Sequence, residues 1–181
     1  MTTTSALSLA VTTALALLGP AGMGQVHVTT DHGVVSLSVK AQVPYALIAS
    51  GHAKAPVLNI SCQQKGKKFS HAITFSPGGI LQEQQYSTFG NSASLVLEVT
   101  VGGQKLSTNW VSYGNLDSFA YLGKTEPERL NFLQALLGTS TISIEFTPFL
   151  TGQPVASTFD LTGLAAELDN HPECAYQVGR R

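Results

Sequence analysis

Residues 94–114, SLVLEVTVGGQKLSTNWVSYG, carry the pattern that most restricts the fold. Leu95, Leu97, Val99 and Val101 alternate with Val96, Glu98 and Thr100, the period of a strand with one apolar face. Gly102 and Gly103 can adopt the positive φ angles of a two-residue hairpin turn. That turn sets one register: Val101 opposite Gln104, Val99 opposite Leu106, Leu97 opposite Thr108, and Leu95 opposite Trp110. Val99 with Leu106 and Leu95 with Trp110 set apolar on apolar, so pattern and turn agree.

Further hairpins are expected on either side. Residues 26–30 and 34–40 flank Asp31-His32-Gly33, and residues 58–63 and 69–75 flank Lys65-Gly66-Lys67-Lys68. Residues 41–55 carry Pro44 and Gly51 without clean periodicity and read as a connecting loop. Residues 80–91 are polar and read as loop or edge strand. After the central hairpin the period changes. Thr125, Pro127 and Glu128 form a helix start with a capping box. Leu130, Phe132, Leu133, Leu136 and Leu137 follow at helical spacing, and Gly138 stops the helix. Ile142, Ile144 and Phe146 alternate with Thr141, Ser143 and Glu145 as a strand, and residues 153–159 form another. Leu161, Leu164, Ala165 and Leu168 then mark a second helix, with Asp160 as its N-cap, ended by Asn170-His171-Pro172. No internal repeat is visible.

These elements predict a mainly β fold: an antiparallel β-sandwich or curled sheet of about seven or eight strands. Two short helices, residues 125–137 and 161–169, pack at one edge. The 181 residues suffice for one domain with a sizeable core. A hydrophobic content of 43% against 12% charged residues is the opposite of a disordered composition. A net charge of −1 leaves no basic field for nucleic acid. The one basic cluster, Lys65 to Lys68, reads as a solvated turn; its alternative is a phosphate or lipid patch.

At the N-terminus, residues 6–18 form an uncharged apolar run. Gly19, Pro20, Ala21, Gly22 and Gly24 follow, which is the layout of a secretory signal peptide. The run is shorter than the roughly 20 residues of a membrane-spanning helix. Residues 1–24 are therefore expected to be a signal peptide and residues 25–181 a single β-rich domain. No Lys or Arg precedes Lys40, and Met23 is an alternative start. The two cysteines, Cys62 and Cys174, lie far apart. In an exported chain such a pair points to a disulfide; the alternatives are two free thiols or a reactive nucleophile.

The polar residues do not converge on a reaction. His27, His32, His52, His71 and His171 are scattered, without metal-ligand spacing. No GxSxG elbow is present, and Pro77-Gly78-Gly79 lacks the Lys of a phosphate loop. Glu98 and Glu145 could face each other as a glycosidase-like carboxylate pair, or form part of the wet side of two strands. Trp110, Tyr113, Phe119 and Tyr121 could be an exposed aromatic patch or core. No catalytic, metal or cofactor residue is expected, and the only site residues assigned are Cys62 and Cys174.

From Val57 to Cys174 the order of features resembles that of a family of small exported bacterial proteins. These are the type VI secretion-associated proteins called TagO or VasI and their relatives. Four marks carry the resemblance. A strand ends in Cys62, and a strand-turn-strand places Trp110 after Val101-Gly102-Gly103. Then come the helix Phe132 to Leu137 with a strand from Ile142 to Phe146, and Thr158-Phe159-Asp160-Leu161-Thr162-Gly163-Leu164 before a helix and Cys174. The chain departs from the family near the N-terminus, where no tryptophan precedes the first strand. The resemblance implies a periplasmic or secreted β-sandwich with a Cys62–Cys174 disulfide and no catalytic residues. The expected function is that of a non-enzymatic envelope or secreted binding or structural protein. Its expected partner is another envelope protein, with no stable membrane anchor after signal cleavage. An inhibitor or immunity-type protein against an envelope hydrolase, plugging with residues 80–91 or 65–68, is the alternative, and an enzyme of unknown type is a third.

Overall fold

The structure, a computed structural model, describes residues 26–42, 54–66, 68–83, 86–113, 116–171 and 174. The expected signal peptide lies outside them, as does most of the expected loop 41–55, and so does His52. Among the described residues ten strands form one antiparallel sheet. They are β1 (His27–Asp31), β2 (Val34–Lys40), β3 (Val57–Lys65), β4 (Lys68–Ser76) and β5 (Tyr86–Phe89). After them come β6 (Ser92–Val101), β7 (Gln104–Tyr113), β8 (Phe119–Tyr121), β9 (Thr141–Phe146) and β10 (Val155–Asp160). Among the described residues the helices are α1 (Glu126–Leu137) and α2 (Leu164–Asp169).

The central hairpin has the expected register at every position: Val101–Gln104, Val99–Leu106, Leu97–Thr108 and Leu95–Trp110 are direct cross-strand pairs. Gly102 and Gly103 sit at φ 55° and 81°, a conformation that costs other residues dearly. Leu95, Leu97, Val99 and Val101 on β6 and Trp110 on β7 are buried, Leu106 is partly so, and the pairing of Leu97 with polar Thr108 has a reason. The Trp110 indole donates to Thr108 Oγ1 at 2.8 Å, and that hydroxyl donates to the Leu97 carbonyl at 3.0 Å. The short relay satisfies the one polar atom of a buried tryptophan. Trp110 and Phe119 are therefore core rather than an exposed patch.

The strands run β1-β2-β3-β4-β8-β7-β6-β9-β10, with β5 paired to the first half of β6. Two four-strand meanders, β1 to β4 and β5 to β8, thus meet at β4 and β8, and the β9–β10 pair bridges their far sides. β9 takes the second half of β6, and the Gln42 amide just beyond β2 donates to the Thr158 carbonyl of β10 at 3.0 Å. The topology repeats although the sequence does not. Of the two expected forms the curled sheet is the one found: Phe75 on β4 packs against Phe146 on β9 and Phe159 on β10, at ring distances of 5.3 and 6.3 Å. The expected count of seven or eight strands rises to ten, because residues 86–89 form an edge strand and the three-residue β8 carries no periodicity to read.

Helix α1 starts as expected. Thr125 Oγ1 accepts from the Glu128 amide at 3.3 Å, and the Glu128 carboxylate accepts from the Lys124 amide at 2.8 Å, one residue ahead of the usual capping box. Phe132, Leu133 and Leu136 are buried, with Phe132 packed on Trp110 and Tyr121. The second helix is shorter than expected, 164–169 rather than 161–169. The Leu161 amide donates to the Ser140 carbonyl at 2.7 Å, one step beyond the β9–β10 ladder, and Gly163 at φ 85° is the N-cap. Asp160 therefore does not cap the helix; its carboxylate accepts from the Thr162 amide at 2.9 Å and shapes the turn before it.

Among the described residues, one core position is polar without a partner. Ser157 on β10 is fully buried, and its hydroxyl has no hydrogen-bond partner. A stranded buried hydroxyl costs about 1–3 kcal/mol. Ser157→Ala is therefore expected to raise the unfolding free energy by about 1 kcal/mol, read as a higher urea midpoint at unchanged slope.

Candidate functional site

Cys62 closes the apolar run of β3, and Cys174 follows α2 after a short turn. The structure joins them in a disulfide with Cα atoms 5.1 Å apart, both residues buried. Each apolar anchor of α2, Leu164 and Leu168, is also buried, so helix and bond together hold α2 and Cys174 on the sheet. His71 lies directly across from Cys62 on β4 and lines a groove of about 250 Å³ with Val34, Ser61 and Gln63.

Glu98 and Glu145 do face each other, as a direct pair between β6 and β9. They stand on the open outer side of the sheet, and Lys105 from β7 sits between them at 3.8 and 3.7 Å. A lysine shared by two half-exposed carboxylates on an open face offers no cleft for a sugar ring. The arrangement is a surface ion-pair cluster whose cation relieves like charges held opposite each other. Lys105→Met is expected to cost about 0.5–1 kcal/mol at low salt, and the loss should shrink in 1 M salt, where screening shortens to about 3 Å.

A more enclosed space lies where β2 and β4 end and β3 begins. A cavity of about 670 Å³ is lined by Lys40, Lys54, Val57, Ser76, Ile80 and Asp117, and by the glycines of the turn after β4. Gly78, at φ 79°, lies so close to the Lys54 carbonyl that any side chain there would collide with it. That contact shapes the cavity wall. Beside it Ile80 is 63% exposed, and it forms an apolar ledge with Phe149 (56%) and Leu150 (66%). The ledge is built on backbone bonds: the Phe149 amide donates to the Ile80 carbonyl at 2.9 Å, and the Gln82 amide to the Thr147 carbonyl at 3.0 Å. Ile80 thus stands exposed beside the cavity's two ammonium groups and one carboxylate, and Phe149 and Leu150 stand exposed on the β9–β10 turn bonded to it. Asp117, Glu98 and His71 each lie at a different place, so they do not assemble into one catalytic set.

The ledge escapes sequence reading because Ile80 and Phe149 are far apart in the chain and each sits in a segment without periodicity. Lys65 and Lys68 pair where β3 and β4 meet, and Phe89, 89% exposed, is the last residue of β5. Tyr121 is half-buried over Phe132. Burial raises its phenol above the ordinary 10.0, the Glu128 carboxylate adds to the rise, and Arg129 opposes it. The folded phenol thus holds its proton more tightly than the unfolded one. The stability this confers is complete below pH 10 and is lost as pH climbs through the raised value, a loss that Tyr121→Phe should reduce in alkaline melts.

Among the described residues no helix is long and apolar enough to cross a membrane, and no cluster of three or more His, Cys, Asp or Glu could hold a metal. No protein-family model, curated protein or solved structure matches the chain.

Proposed function

We propose that this is an exported, non-enzymatic binding protein of the bacterial envelope or secreted space, which engages a partner protein through the ledge and cavity beside Ile80. The observation that carries this reading is the disulfide between β3 and Cys174, a bond that persists in oxidising compartments. The apolar run and small residues of 6–24, with the layout of a signal peptide, support the same compartment. The order of motifs from Val57 to Cys174 resembles the type VI secretion-associated TagO and VasI proteins and supports an accessory rather than a catalytic role. Mass spectrometry of the protein from fractionated cells tests it. A mature N-terminus near Gln25 and a mass lacking two hydrogens are expected in the periplasmic or secreted fraction. An intact N-terminus with two free thiols in the cytoplasm would reject the reading, as would measured turnover of a cell-wall substrate.

A second reading is favoured by the exposure of Ile80 and Phe89, both within residues 80–91. Such residues could plug the cleft of an envelope hydrolase. A lysozyme or amidase activity that stays unchanged with stoichiometric protein present would count against it.

A further inference from the structure

We propose that β1 is the pairing edge of a homodimer, in which the same strand of a second copy adds antiparallel about a two-fold axis at Thr29. β1 is the terminal strand of the sheet, and among the described residues its only strand partner is β2. The hairpin turn, His32 and Gly33 at φ 47° and 76°, has two residues. In such a turn the flanking pair, Asp31–Val34, is hydrogen-bonded, and bonded pairs alternate from there through Thr29–Ser36 to His27–Ser38. Val28 and Thr30 therefore turn their amides and carbonyls away from β2, along an edge that no other described strand pairs.

Exposed edges are ordinarily blunted by lysine, proline, a bulge or a covering segment. His27–Asp31 has no lysine and no proline, and its ladder to β2 runs without a bulge. The far end of the sheet is different, because the Gln42 amide already occupies the Thr158 carbonyl of β10. The strand is also complementary to itself. With the axis at Thr29, Val28 of each copy falls opposite Thr30 of the other, and each such pair closes two backbone hydrogen bonds. In the same register His27 of each copy falls opposite the other's Asp31, an imidazole against a carboxylate at both ends of the ladder. Asp31 Oδ1 already holds His32 Nδ1 at 2.6 Å, which leaves the second carboxylate oxygen for the incoming His27. Slipping by one residue sets outward groups against inward ones, and slipping by two leaves a charged residue without its opposite. The self-complementary register is thus the one that uses all five residues.

Five residues a side make a small interface, so association in the high-micromolar range is expected. Sedimentation equilibrium of the native, disulfide-bonded protein over low- to high-micromolar concentration reads it directly. Thr30→Pro removes an outward amide without touching the β1–β2 bonds and should abolish the dimer. His27→Asp sets carboxylates opposite each other and should weaken the dimer about tenfold. The swap His27→Asp with Asp31→His restores the opposed pairs and should restore affinity. Far-UV circular dichroism of each variant keeps loss of folding apart from loss of pairing. A monomer at every concentration would overturn the proposal, as would a dimer indifferent to Thr30→Pro or a swap that fails to rescue. Because pairing uses β1 and not the ledge beside Ile80, this outcome is independent of the one that tests partner binding.

Discussion

Replacing Cys62 and Cys174 together by serine is expected to lower the unfolding free energy by about 4–5 kcal/mol, one of the two largest losses foreseen for this chain. The bond spans 112 residues of sequence, and a cross-link of that length removes much of the freedom of the unfolded chain. The folded side of the argument points the same way. Helix α2 has six residues, too few to be stable alone, and its buried contacts come from Leu164 and Leu168. Once the bond is gone, α2 has little besides those two side chains to hold it on the sheet. Urea unfolding of the oxidised protein, the reduced protein and the double serine variant should separate the effects. Oxidised protein should unfold at a clearly higher urea concentration than the other two. Reduced protein and the serine variant should also expose the 164–174 segment to protease before the sheet opens. Coincident midpoints for all three would show that the bond contributes nothing to stability.

Phe75→Ala is expected to cost about 3–5 kcal/mol, comparable in size but different in origin. Phe75 is completely buried on β4 and touches rings from both sides of the curl: Trp110 at 6.2 Å on β7, Phe146 on β9 and Phe159 on β10. Its removal leaves a void where strands from both meanders meet, and rings fixed on separate strands cannot collapse to fill it. Phe75→Leu retains most of the volume and should cost about 1–1.5 kcal/mol. Phe89→Ala provides the contrast. That ring is 89% exposed at the end of β5, so its loss should stay within about 0.5 kcal/mol. A Phe75→Ala loss no larger than that of Phe89→Ala would mean that the curl is held elsewhere. Calorimetric melts read all three variants.

Some of the architecture was legible before any coordinates. The central hairpin, with all four named pairs, follows from the alternation of Leu95 to Val101 and the positive φ of Gly102 and Gly103, both of which act over a few residues. The start of α1 is equally local, because Thr125 and Glu128 satisfy amides within one turn. Other features depend on neighbours that local pattern cannot name. β8 has three residues and exists because β4 and β7 both offer it a bonded edge. Asp160 reads as a helix cap, but Leu161 still bonds to Ser140 one step beyond the β9–β10 ladder, and the helix starts later, at Leu164.

The candidate surfaces divide in the same way. Glu98 and Glu145 were visible as residues on the wet faces of strands, yet only the β6–β9 pairing brings them together, and only the fold sets Lys105 between them. The ledge of Ile80, Phe149 and Leu150 and the cavity beside it arise where the end of β4 meets the β9–β10 turn, more than sixty residues away in sequence. Periodicity, turn chemistry and capping act within one element, so the sequence alone determined the hairpins, the first helix and the apolar faces. Which element lies beside which is settled by burial and backbone pairing summed over the whole chain. The order of the sheet, its curl and the surfaces it presents were therefore decided by the tertiary structure.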